Sequence, residues 1–221
     1  MTEASVPAPA EAPRRTTRPR PRRELVALAT LLLGALFALA AAFGPWLVVV
    51  TSGSAPASWT DVRDYGLSGW SATDSVSGMS ASPSGNYLLW PAVGQVFLSL
   101  SVLTWLAVFV GVAALALAWA APAWPRVGRI PALVGFASAA LAIVSSLVFL
   151  AMFPSAAVSA GLLPAGAGLW GSASVGSTTR TWGAGGAWNS LVAAFVLYLI
   201  GVVLIPRNRS RFRATAATVP A

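Results

Sequence analysis

The chain has 221 residues, 57% of them apolar and only 9% charged, with a formal net charge of +8. So little charge does not suit a soluble domain of this length, and a lipid bilayer is the expected solvent. The absence of Cys and His removes disulfides, thiolate nucleophiles, thiolate or imidazole metal ligation and the commonest general base.

Residues 1–24 are rich in Pro, Ala and Arg, lack apolar periodicity and read as a disordered cytoplasmic tail. Residues 25–50 form a charge-free apolar run, longer than the ~20 residues that ~30 Å of hydrocarbon requires. A basic start followed by ALAAAFG also resembles a secretory signal. The run exceeds the roughly 7–15-residue core of such a signal, so a retained anchor is expected. Residues 51–92 form a Ser/Gly-rich loop holding Asp61, Arg63, Asp64 and Asp74. The second span is read at 93–121. The turn at 122–131, PAWPRVGRIP, makes its flanking helices antiparallel neighbours and carries Arg126 and Arg129. Residues 132–153 are the third span, 154–187 a second loop whose one charge is Arg180, and 188–205 the fourth span. A basic cytoplasmic tail, 206–221, follows.

All fourteen basic residues are Arg. Twelve fall before the first span, in the short turn or after the last span, and basic residues near membrane ends are retained in the cytoplasm. Both termini are therefore expected inside a cell membrane crossed four times. Arg22, Arg23, Arg126, Arg129, Arg207 and Arg209 are placed to contact anionic lipid headgroups. Because the Arg residues flank apolar runs and do not line one surface with interleaved aromatics, no nucleic-acid partner is expected.

Helices in lipid associate by close packing, which small residues at four-residue spacing permit. Gly34, Ala38 and Ala42 form such a stripe on the first span, and Gly135 and Ala139 on the third. Trp46, Trp90, Trp119, Trp124 and Trp188 fall near predicted span ends, where indoles suit the headgroup layer. Trp59, Trp70, Trp170 and Trp182 lie within the loops. Loops with several Trp are poor solvated tethers, so the two loops are expected to fold together as a small outer cap, short strands allowed, with those four Trp as interaction residues. The predicted fold class is an all-α antiparallel four-helix transmembrane bundle beneath that cap.

Enzymatic chemistry has few parts available. A serine nucleophile lacks the His or Lys base it needs. Asp61, Asp64 and Asp74 form no calcium-loop pattern, and Arg63 sits between the first two, so no metal is expected. No cofactor motif is present, since Gly183-Ala184-Gly185-Gly186 lacks the phosphate-loop Lys. No ionisable residue lies within a span, which argues against a proton relay or a charged-substrate path. Gln95 and Asn189, each one turn into a span from its outer end, are the most notable polar span residues.

GPWLVVV, GLSGWSATDSVSG and WGAGGAWNSLVAAF together resemble the broad set of uncharacterised actinobacterial four-span membrane proteins. The layout is also similar to the claudin-like tetraspan plan, in which a loop Trp and a GLW element help an outer sheet form. Here GLW is in the second loop, at Gly168 to Trp170, and the paired loop Cys are absent. The resemblance implies a non-enzymatic envelope protein. The expected function is an accessory or scaffolding subunit that contacts other integral membrane proteins. The competing reading is a small lipid or apolar-ligand carrier with a cleft between its helices.

Overall fold

A computed structural model of the chain describes residues 22–55, 57–121 and 129–205. The expected disorder of the N-terminal tail, most of the inner turn with Arg126, and the C-terminal tail with Arg207 and Arg209 lie outside the described residues.

The described residues form four helices, α1 (Arg22–Phe43), α2 (Pro91–Ala120), α3 (Ile130–Ser159) and α4 (Gly186–Leu204). Each is long and apolar enough to cross a membrane. Helix pairs α2–α3 and α1–α4 make the most extensive contacts. The chain is a multi-pass membrane protein by these helices. Both loops lie at one end of the bundle, opposite the start of α1 and the end of α4.

The expectation of an all-α chain is overturned at that end. Between α1 and α2 lie β1 (Leu47–Gly53), β2 (Trp59–Tyr65), β3 (Trp70–Val76), β4 (Met79–Ala81) and β5 (Ser84–Gly85). Between α3 and α4 lie β6 (Gly171–Val175) and β7 (Thr178–Ala184). All seven belong to one antiparallel sheet of order β4-β3-β2-β1-β7-β6, with β5 also paired to β3. The cap is thus a single sheet built from both loops, so the molecule is mixed helix and sheet.

Local chemistry explains the change. The first apolar run does not continue as helix to residue 50, because Gly44-Pro45 breaks it and the β-branched Val48, Val49 and Val50 favour the pleated surface. Leu47 pairs with Tyr65 on one side and Ala184 on the other, so β1 becomes the central strand. Two tight turns fix the neighbouring hairpins. Ser77 and Gly78 both have positive φ (49° and 85°), the pattern of a two-residue type I′ turn between β3 and β4. Gly176 alone, at φ 58°, supplies the first position of the β6–β7 turn.

The third helix is longer than expected because Pro154 lies inside it. Proline is tolerated in membrane helices where neighbours re-satisfy the freed backbone. The bundle interior is closed by small residues against large ones. Gly34 of α1 and Gly111 of α2 lie against opposite parts of the Tyr198 side chain, and Gly135 against Val202. Ala38 and Ala139 are buried beside them, whereas Ala42 is half-buried. Ser138 donates across helices to the Ala107 carbonyl (2.8 Å), while Ser145 and Ser146 donate within α3 to Leu141 and Ala142.

Candidate functional site

The register divides the sheet into two faces. One carries Leu47, Val49, Tyr65 and Trp182, buried and continuous with the bundle core, together with the buried Ala72. This inner face leans on the sheet-side ends of the helices. Trp90, just before α2, meets the rings of Tyr65 (6.2 Å) and Trp70 (5.9 Å). Tyr87 stacks on Phe97 of α2 at 4.9 Å, and its hydroxyl lies 2.6 Å and 2.8 Å from the carbonyls of Gly66 and Gly69 in the β2–β3 turn. Burial pushes the Tyr87 phenol well above its ordinary value, so it remains a donor there. The opposite face is mainly Ser, Thr and Val.

The four loop Trp residues share one local arrangement. Trp59 lies across Gly53, Trp70 across Gly85, Trp182 across Gly171 and Trp170 across Gly183, so that a side chain on any of these glycines would meet an indole. A large ring over a strand glycine replaces the missing side-chain packing. The register brings Trp59, Trp70 and Trp182 to the inner face and puts Trp170 on the other, where it is 56% exposed and meets Trp188 edge-on. Trp182 also donates to the Gly168 carbonyl (3.0 Å). Trp119 is exposed near the opposite end of α2, as an interfacial ring would be, whereas Trp46 is fully buried.

Farther from the bundle the inner face becomes charged. Thr51 pairs with Asp61 on one side and Arg180 on the other, and Asp61 pairs with Asp74. The Arg63 Nε donates to both Asp61 oxygens, at 2.8 Å and 3.2 Å. Arg180 differs from Arg63. Its Nε is buried, and it meets no hydrogen-bond partner among the described residues. The buried Tyr65 hydroxyl also meets no partner in hydrogen-bond geometry, although the charges of Arg63 and Arg180 offset part of the upward push that burial gives its phenol. The sequence leads one to expect the two loops to fold together as a cap, but not which of these residues meet, since only the β1 register joins them. Asp64 faces the other way, into an open depression of about 560 Å³ near Pro45 and Trp70.

The chain matches no protein-family model and no curated protein.

What the site can do therefore follows from its own chemistry. Among the described residues no group of three or more carboxylates, Cys or His is placed to hold a metal ion. The inner face offers one satisfied ion pair, a second carboxylate and a guanidinium whose donors are not all used. Burial is the largest influence on the Asp61 carboxyl and raises its pKa above 3.8, with Arg63 opposing and Asp74 adding to the rise. The folded state thus holds this proton more tightly than the unfolded chain. Its contribution to stability is greatest below that value and is lost as pH rises through the folded pKa. Asp64 shifts in the same direction through burial. Hydrogen exchange of the sheet, corrected for intrinsic rate, should show easier opening at neutral pH than near about pH 4. Asp74→Asn should flatten that dependence.

Proposed function

We propose that this chain is a non-enzymatic accessory or scaffolding subunit of a bacterial cell-envelope membrane complex. In this reading the four-helix bundle anchors it in the plasma membrane and the sheet is its outward docking surface. The observation that carries the reading is Arg180, a half-buried guanidinium whose Nε meets no partner among the described residues, on a sheet face otherwise organised by an ion pair. Leaving a buried charged donor unmatched is costly, and a carboxylate or carbonyl oxygen brought by a partner protein would complete it. The Trp-over-Gly packing supports the same role, because it stiffens the surface on which a partner would sit.

Both termini are cytoplasmic in this reading. Arg22, Arg23 and Arg129 stand at the bundle end opposite the sheet, and the first two are exposed at the start of α1. Arg23 lies 3.4 Å from the Val203 carbonyl near the end of α4, an interaction that suits the negative end of a helix. With Arg126, Arg207 and Arg209 nearby in sequence, that end would sit among anionic headgroups. A single sheet built from the first and second loops is also how we extend the likeness to the claudin-like plan, here without loop cysteines.

The test is purification of the tagged full-length chain in mild detergent, wild type beside Arg180→Glu. The wild type should elute with an integral membrane protein in fixed stoichiometry, and the variant should lose it by about tenfold or more with unchanged helicity and elution of its own. A wild-type chain that stays alone under several gentle conditions contradicts the proposal, as does a variant that keeps the partner.

A further inference from the structure

Helices α1 and α4 set the level of the membrane at the sheet end. With 22 and 19 residues they are about 33 and 29 Å long, one hydrocarbon thickness each. Their sheet-side ends are tied together, since Gly185 donates to the Trp46 carbonyl (2.8 Å) and Ala187 to the Pro45 carbonyl (2.9 Å). The hydrocarbon therefore stops at Phe43–Pro45, and the headgroup layer, about 5–7 Å deep on each side of a bilayer, begins there.

The open depression of about 560 Å³ beside Asp64 lies in that layer. Phe43, Gly44 and Pro45 line it from the end of α1, and Asp64, Ser68, Ser71 and Ser84 line it from the sheet. Gly66, also on its wall, would carry a Cβ 3.6 Å from the Gly44 carbonyl, so it stands level with the end of α1. Asp64 is two strand residues farther out, at most about 7 Å. Below the depression an apolar track runs down α1. Leu32, Leu36, Leu39 and Phe43 follow one another at helical spacing, and all are exposed.

Asp64 is the one charged residue of the depression. It points away from the neighbouring Arg63, whose guanidinium is held by Asp61 on the other face. Among the described residues the Asp64 carboxyl makes no ion pair or hydrogen bond. Burial raises its pKa, and no positive charge opposes that rise. The hydroxyls of Ser71, its cross-strand neighbour, and of Ser68 and Ser84 make no hydrogen bond among the described residues either. The site thus offers one half-buried anion, several neutral O–H donors and an apolar way down into the bilayer.

We infer that this depression binds phosphatidylethanolamine, with the lipid ammonium on Asp64 and the acyl chains along the α1 track. A primary ammonium brings both the missing charge and N–H donors for charge-assisted hydrogen bonds to the carboxylate. The serine hydroxyls can donate to the phosphate. A choline headgroup has the charge but no N–H to give, and an anionic glycerol headgroup would meet Asp64 with no cation to offset the repulsion. The inference depends neither on the docking role proposed for the sheet nor on the side of the membrane that the sheet occupies.

Native mass spectrometry of the full-length chain from phosphatidylcholine nanodiscs tests it, each preparation doped with the same small fraction of phosphatidylethanolamine or phosphatidylglycerol. The wild type should enrich phosphatidylethanolamine about threefold or more over phosphatidylcholine and about fivefold or more over phosphatidylglycerol, and Asp64→Asn should bring both ratios close to one. Ser71→Arg, which sets a guanidinium opposite Asp64, should abolish the enrichment as well, and it decides the matter should Asp64→Asn not fold. Water-soluble glycerophosphoethanolamine in excess should leave the lipid bound, because it has no chains for the α1 track. A wild type without preference overturns the inference, as does preference for phosphatidylglycerol or an enrichment unchanged in a folded variant. Displacement by the soluble headgroup also overturns it, since the ligand would then be a free amine and not a lipid.

Discussion

Trp46→Ala is expected to cost about 3–5 kcal/mol and to loosen the sheet from the bundle before the bundle itself opens. Trp46 is wholly buried where α1 gives way to β1, with its ring edge-on to Phe149 of α3 at 5.3 Å. Its Nε1 donates to the Ala41 carbonyl (2.9 Å), one of the last carbonyls of α1, which the helix itself leaves without a partner. Its backbone takes part in two further bonds, donating to the Tyr65 carbonyl (2.7 Å) and accepting from Gly185 (2.8 Å). Alanine keeps those backbone bonds but removes the ring, leaving both a cavity and an unmatched carbonyl. Hydrogen exchange should show β1, β2 and β7 losing protection first, with the α2–α3 pair retaining most of its own. Uniform loss across all four helices would mean that the ring supports the bundle generally and does not act as the joint.

Gly111→Leu is expected to be nearly as damaging, at about 3 kcal/mol, through overpacking instead of loss. Tyr198 is completely buried between α1 and α2, and a Cβ on Gly111 would meet its phenolic oxygen, while one on Gly34 would come within 2.9 Å of its ring. No lipid or water can give way there, so α2 would have to move off α4. Among the described residues the buried Tyr198 hydroxyl has no partner in hydrogen-bond geometry, so removing the ring sacrifices mainly packing. Gly111→Leu combined with Tyr198→Ala should therefore recover part of the loss. A thermal-unfolding cycle in detergent measures the coupling, and strictly additive losses would mean that the two positions do not share one space.

Both predictions bear on how far the fold is legible in residues alone. Spans show in the hydropathy because every lipid-facing residue must be apolar, and the Gly34 and Gly135 stripes show because small residues are what close helix contact requires. The sheet is less visible. The β3 segment WSATDSV and the β7 segment TTRTWGA alternate only imperfectly, since the inward positions that hold Ala72 and Trp182 also hold the charged Asp74 and Arg180. Their partners are also remote. Thr51 meets Arg180 only after two helices have been laid down between them, and no local pattern encodes that register. The Val-rich end of the first apolar run reads as helix by length and as strand by β-branching, and Gly44-Pro45 decides between them. A groove between α2 and α3, lined in part by Gln95, Ser99, Ser155 and Ser159, is hidden for a different reason. Gln95 was visible as a polar residue near a span end, but only the antiparallel packing of α3 puts Ser155 and Ser159 beside it.

In the proposed orientation this four-span chain holds its sheet outside the cell and its Arg-rich end inside. Because the chain has no Cys, single cysteines report position without background. Thr73→Cys, exposed on β3, and Arg129→Cys, exposed at the start of α3, are the two probes. Treated with a membrane-impermeant maleimide, intact cells should label Thr73→Cys and leave Arg129→Cys unlabelled until the membrane is permeabilised. Labelling of Arg129→Cys in intact cells, with Thr73→Cys protected, would place the sheet in the cytoplasm and contradict the account.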